Sequence, residues 1–272
     1  MAEPVATLLH AWLGGLPAIV ALAVACWLAS LPLRDASLVD RFWSLLFIAA
    51  AGSYALAAPA AAPRRGWLLA MVLAWGLRLA LHITWRNWGH GEDRRYQAIR
   101  ARNQPGYAWK SLPYVFLLQA LLAWVISLPL LGALRATRPL GILDALGALL
   151  WAVGFAFEAV GDWQLLRFRA QPAAAGAVLD TGLWRYTRHP NYFGETVLWW
   201  GFWLLALGGG AWWSLPAPLL MTILLLKVSG VTLLERDIAG RRPAYRDYVA
   251  RTSAFLPWPP RPAVGSPEAG RG

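Results

Sequence analysis

Seven apolar runs, each near the length needed to cross a bilayer, constrain this chain more than any other feature. They cover roughly Leu8 to Leu33, Leu38 to Ala62, Gly66 to Trp85, Pro113 to Leu134, Leu140 to Gly161, Asn191 to Leu207 and Trp212 to Leu234. A helix rises about 1.5 Å per residue, so about 20 apolar residues span the hydrocarbon, where the backbone must satisfy its own N–H and C=O groups. The pattern predicts an all-α integral membrane protein with a bundle of about seven transmembrane helices. Composition agrees, with 58% hydrophobic residues, 14% charged residues and a mean hydropathy of +0.44.

The formal charge of +11 would suggest nucleic acid in a soluble domain. Here the cations lie between apolar runs, so they are read as orientation signals and as ligands for anionic groups, and no nucleic-acid partner is expected. Taking alternate connections, one side holds Arg34, Arg41, six residues from Arg86 to Lys110, then Arg167, Arg169, Arg185, Arg188 and seven arginines after Leu234. The other side holds only Arg64, Arg65, Arg135 and Arg138. Because cytoplasmic loops keep positive charge, the expected topology has the N-terminus outside and the C-terminus in the cytoplasm. MAEPVATLLH lacks a basic n-region, so no signal peptide is expected. The end of the chain, rich in Pro and Gly, is expected to be a disordered tail over residues 261–272.

Polar residues inside such spans need a reason. LWRYTRHPNYFGETVLWW, from Leu183 to Trp200, concentrates Arg185, Tyr186, Arg188, His189, Asn191, Tyr192 and Glu195 where a span begins. Pro190 suits a helix start, and Tyr192, Glu195 and Trp199 then recur on one face. An interfacial anchor accounts for the aromatic and arginine residues, but not for Asn191 and Glu195 one turn deeper. On the fifth span, Glu158, Asp162, Leu165 and Arg169 share one face running out of the membrane, with Arg167 beside it; carboxylates followed by cations suit ribose hydroxyls followed by phosphates. An amphipathic helix end has the same pattern. On the third span, Arg78, His82 and Arg86 form a stripe at i, i+4, i+8, one turn beyond Trp75. Arg78 is deep enough to call for a buried partner or ligand. Asp40 and Tyr54 lie on the second span, and Asn87, Gly89 and Gly91 open a polar connection that continues as EDRRYQAIR. Asp144 and Glu158 are candidates for structural ion pairs.

Some chemistries are excluded. The four histidines are dispersed and no CxxC or HxxxH occurs, so no metal site is predicted. No Walker loop, GxGxxG or Gly-x-Ser-x-Gly elbow is present, and the single Cys26 forbids an intramolecular disulfide.

GLWRYTRHPNYFGE, the preceding DWQLLRFR and the terminal ERDIAGRRPAYRDYVARTSAFLPW resemble the C-terminal half of the steroid 5α-reductase family and its bacterial relatives. RHPNYFGE also resembles sterol C14 reductases and, more distantly, isoprenylcysteine carboxyl methyltransferases. The resemblance covers about the last 120 residues well, and EDRRYQ extends it toward the bacterial relatives. It implies one transmembrane domain over residues 1–260, in which residues 1–135 form a substrate-side half and residues 136–260 bind NADPH, or S-adenosylmethionine in the methyltransferases. Asn191, Tyr192 and Glu195 match cofactor-contacting positions, as do Glu158, Asp162, Leu165 and Arg169. Asn87, Arg167, Tyr186, Arg188, His189 and Glu235 complete the expected cofactor set. Where the steroid enzymes place a tyrosine on the third span this chain has Trp75, and its second span has no glutamate, so steroid specificity is not implied.

The expected function is a reductase of a C=C bond in a lipophilic, steroid- or isoprenoid-like substrate entering from the bilayer, without an obligate protein partner, in a bacterial inner membrane with the cofactor site facing the cytoplasm. Arg78 and His82 are the expected stabilisers of a developing oxyanion, with Asp40 or Tyr54 as proton donor or orienter. An S-adenosylmethionine-dependent methyltransferase and a non-enzymatic transporter or scaffold are the alternatives.

Overall fold

A computed structural model describes residues 5–59, 62–171, 176–228 and 243–261. Every regular element among them is helical: α1 Val5–Leu33, α2 Leu38–Ala57, α3 Arg65–Asn87, the short α4 Arg94–Arg102, α5 Tyr107–Arg135, α6 Ile142–Arg169, α7 Pro190–Gly208, α8 Trp212–Val228 and α9 Pro243–Arg251. Each expected apolar run overlaps a helix, though α2 stops at Ala57 and residues 229–234 of the seventh run lie outside the described residues. Four of them, α1, α3, α5 and α6, are long and apolar enough to cross a membrane. The protein is thus an all-helical membrane protein. Its residues group into two compact units, one of residues 1–147 and 202–217, the other of residues 148–201 and 218–272.

In the first unit α2 is central, packing on α1, α3 and α5. The α1–α2 connection is short because α1 ends in a Schellman turn: Arg34 takes the left-handed conformation at φ 50°, the Arg34 amide donates to Leu31 O and the Asp35 amide to Ser30 O. Trp12 and Trp124 clasp α1 to α5, stacked at 3.8 Å with each indole N–H donating to the other's carbonyl. Pro113 opens a π-helical stretch over Leu112–Leu117 in α5, where an N–H is missing from the helical ladder. The same helix is interrupted at Ser127, just before Pro129.

Arg64, which the charge pattern assigned to an outer loop, is fully buried at 0% exposure. Its guanidinium forks onto the Asp144 carboxylate, with Nε–Oδ1 and Nη2–Oδ2 both 2.7 Å, and donates further to the carbonyls of Arg138 and Pro139. Asp144 also accepts the Gly141 amide at 2.8 Å, completing the start of α6. The α2–α3 and α5–α6 connections are thereby pinned to each other. Arg64 therefore acts as a lock between loops, because a bidentate carboxylate and two carbonyls replace the water it would otherwise bind. The α7–α8 connection closes with Gly210 at φ 93°, its amide on Leu207 O and the Ala211 amide on Ala206 O.

In the second unit, α6 and α7 meet backbone to backbone. A Cβ on Gly194 would lie 2.5 Å from Gly154 O, and one on Gly154 would lie 2.5 Å from Gly194 O; Gly161 meets the Pro190 ring. Small residues at such a crossing allow the close approach on which helix pairs in lipid depend. Trp200 adds an indole N–H bond to Thr222 of α8.

Two stability outcomes follow. Arg64→Met leaves Asp144 buried without its cation and is expected to destabilise the fold by about 3–5 kcal/mol, while the double change Arg64→Met with Asp144→Leu recovers much of that loss; thermal unfolding in detergent checks both. Gly194→Ala should lower the unfolding temperature, whereas Gly52→Ala, with nothing within 4 Å of the added methyl, should not.

Candidate functional sites

The second unit gathers most of the expected cofactor residues around the α6–α7 crossing. Glu158 and Asp162, one turn apart on α6, are 2% and 5% exposed, and Glu195 on α7 is 7% exposed. The Gly154–Gly194 contact sets their separation, since a Cβ at Gly194 would also strike the Glu158 backbone. Asn191, in the first turn of α7, donates through Nδ2 to Asp162 Oδ1 at 3.2 Å. Its Oδ1 is buried and has no hydrogen-bond partner among the described residues. His189, buried, stacks on Tyr192 at 5.6 Å and 10° between planes. Leu165 is half-buried, Arg167 and Arg169 are exposed, and Arg167 lies over the Trp163 ring. The α6 face thus passes from buried carboxylates to solvent-facing cations. Among the described residues no set of three His, Cys, Asp or Glu is placed to hold a metal ion.

The connection before α7 carries the end of the chain. Arg188 donates from its amide to Ser253 O at 2.9 Å and from Nη1 to the carbonyls of Val249 and Thr252. Tyr248 donates its phenol to Trp184 O, and the Trp184 indole donates to Gly161 O at 3.0 Å. Thr187 Oγ1 donates to Phe255 O, and the Trp258 amide donates to Tyr186 O. Arg188, expected among the cofactor ligands, thus has one guanidinium nitrogen committed to fastening α9 and the segment after it. Tyr186 is exposed. Glu235, also in that set, lies outside the described residues.

The first unit holds the expected catalytic residues, but not as one group. Trp75 is fully buried against Phe47, and Arg78 and His82 are half-buried farther along α3. Ser44 donates to Gly76 O at 2.7 Å, which places Asp40, one turn earlier on the antiparallel α2, near the level of His82. Tyr54 is fourteen residues beyond Asp40, about 21 Å along the helix. It is fully buried with its hydroxyl on Ser127 Oγ at 2.8 Å, so it does not share a site with Asp40. Asp40 itself accepts from Arg95 Nη2 at 2.9 Å and from the Tyr96 phenol at 2.6 Å, and Gln119 Nε2 donates to the same phenol. Asn87 lies in this unit, apart from the α6–α7 group in sequence, and its Oδ1 accepts from Arg86 Nε at 3.1 Å.

EDRRYQAIR turns out to organise the α3–α4 connection. Glu92 takes a bidentate Arg100 at 2.8 Å per bond and also accepts the Ala36 amide. Asp93 caps α4 by accepting the Arg95 amide. Burial works to raise the Asp93 carboxyl, but the Arg95 amide and guanidinium outweigh it and hold it below the usual range. Burial, reinforced by the Asp40 charge, pushes the Tyr96 phenol up, so it remains protonated and donating at neutral pH. Tyr96 and Arg95 are partners of Asp40, and Gln119 a partner of Tyr96, that periodicity could not reveal, because they come from α4 and α5. The only signal in the sequence was the charged run itself.

Residues 26–252 match a protein family of unknown function, DUF1295. An uncharacterized protein of the fission yeast Schizosaccharomyces pombe is 24% identical over 262 residues, covering 85% of this chain and 75% of the yeast protein. No solved structure matches. With most of its length inside that match, the chain belongs to the DUF1295 family.

Proposed function

We propose that this protein is a membrane-embedded NADPH-dependent reductase of a C=C bond in a lipophilic, steroid- or isoprenoid-like substrate. The observation that carries this reading is the buried polar group on α6 and α7, above all the Asn191 Oδ1 that lacks a partner beside Asp162. An orphaned buried acceptor is costly unless a ligand donor meets it. A carboxamide N–H or a ribose hydroxyl is such a donor. NADPH, when bound, would supply the hydride.

The fit divides along the α6 face. Glu158, Asp162 and Glu195 suit hydroxyls and repel phosphates, so phosphates would lie toward Arg167 and Arg169, the exposed cations farther along the helix. Tyr192 and the stacked His189 offer an aromatic wall. In the first unit, Arg78 would carry charge to a developing oxyanion, and His82, one turn on, would assist it. Asp40 would orient the Tyr96 phenol that donates to it.

One observation favours a second reading. Three buried carboxylates at one crossing also suit a sulfonium cation, and hence methyl transfer from S-adenosylmethionine. Calorimetric titration of the purified protein separates the two: NADPH is expected to bind, more weakly as salt rises, and S-adenosylmethionine is not. Binding of S-adenosylmethionine alone would reverse the ranking. Glu195→Gln keeps size and removes charge, so NADPH affinity should fall by roughly 1–3 kcal/mol with the fold retained. Arg78→Leu should keep the affinity and lose single-turnover NADPH oxidation.

Seven spans, with the N-terminus outside, the C-terminus in the cytoplasm and the cofactor site facing the cytoplasm of a bacterial inner membrane, complete the proposal. The division of basic residues between alternate connections supports it. A reporter fused after Arg271 should report the cytoplasm and one inserted near Ala211 the opposite side; a cytoplasmic signal at Ala211 would refute seven spans.

A further inference from the structure

A cavity of about 330 Å³ opens between the Arg188 connection and the segment after α9, lined by Arg188, Arg251, Thr252, Ser253, Trp258 and Arg261 among others. Among the described residues no carboxylate lines it. Arg251 meets Asp180 at a loose 3.6 Å, partly in solvent, and the Arg261 side chain makes no hydrogen bond or ion pair among the described residues. Excess positive charge in a walled recess draws an anion.

The segment beside the cavity is held in place. The Arg261 amide donates to Arg251 O at 2.9 Å, the Trp258 amide to Tyr186 O at 2.9 Å, and Phe255 packs edge-on against Phe193. Yet this fastened stretch turns Leu256 and Trp258 outward at 65% and 70% exposure. Two large apolar side chains fixed in solvent next to arginines are unfavourable in water, but together they match the boundary of a bilayer, where indole rings sit at headgroup level and guanidiniums meet lipid phosphates.

We propose that this cavity binds the phosphate of an anionic phospholipid, with Arg251 and Arg261 on the headgroup and Leu256 and Trp258 against its glycerol and upper acyl chains. The proposal does not rest on the reductase reading: none of these four residues belongs to the expected cofactor set, although Arg188, which does, also lines the cavity. Its consequence is that lipid charge stabilises α9 and, through Arg188 and Tyr248, the connection that leads into α7.

The test uses the full chain in nanodiscs, comparing pure phosphatidylcholine with a mixture containing phosphatidylglycerol, and in detergent with inorganic phosphate or NADPH. Phosphatidylglycerol is expected to raise the unfolding temperature of the wild type, and inorganic phosphate at matched concentration is not. Binding of fluorescent phosphatidylglycerol should weaken about fivefold for Arg261→Gln and again for Arg251→Gln, following the usual contribution of one cation at an anionic surface. Both variants should unfold like the wild type in phosphatidylcholine and keep their NADPH affinity. Trp258→Ala should weaken lipid binding and leave any response to phosphate unchanged. An equal response to inorganic phosphate, lost in the arginine variants, would reassign the cavity to a soluble phosphate ligand and overturn the proposal. Loss of NADPH affinity in those variants would overturn it in favour of the cofactor, and an undiminished phosphatidylglycerol response would remove it altogether.

Discussion

The backbone contact between Gly154 and Gly194 sets the terms for the second unit. Two helices that approach until each glycine carbonyl lies 2.5 Å from where the other's Cβ would stand leave no room for side chains at the crossing. The neighbouring positions, Glu158 and Glu195, are therefore buried by geometry rather than by their own preference. Carboxylates in such a place are expensive in an apolar setting, and a chain keeps them there only with partners or ligands to meet them. Asn191 and Asp162, one turn nearer the end of the pair, extend the same polar strip. The C-terminal segment is then fastened to the connection before α7 by Arg188, Thr187 and Tyr248, so the crossing and the end of the chain form one continuous assembly.

The first unit solves a different problem, that of ordering polar connections between apolar helices. At one end Arg64 and Asp144 form a buried lock. At the other, Glu92 with Arg100 and the Ala36 amide, and Asp40 with Arg95 and Tyr96, hold α4 to the α1–α2 connection and the start of α2. The two ends differ in kind. A fully buried bidentate pair specifies one arrangement strongly, because either charge alone would be stranded, whereas half-exposed pairs contribute little individually and act through their number. Charged residues in this unit that resemble catalytic groups in the sequence are thus, in the cases of Asp40 and Arg95, also parts of a loop scaffold.

Length and apolarity were enough to locate the long apolar helices, four of them long enough to cross a membrane, because a spanning helix must satisfy its backbone locally and stay largely apolar; the polar α4 and α9 gave no such signal. The i, i+4 and i, i+7 spacings likewise put Glu158, Asp162 and Leu165 on one face of α6, and Pro190 marked the start of α7. These are properties of a few neighbouring residues, and one helix is sufficient to express them. The partners of Arg64, Asp40 and Arg188 are tertiary outcomes. Each pairs across 55 to 80 positions of the chain, through loops whose course no local pattern dictates. The same holds for Tyr54, which shares a helix with Asp40 but is held some four turns away against Ser127, and for the glycine crossing, where two unremarkable glycines matter only because folding brings them face to face.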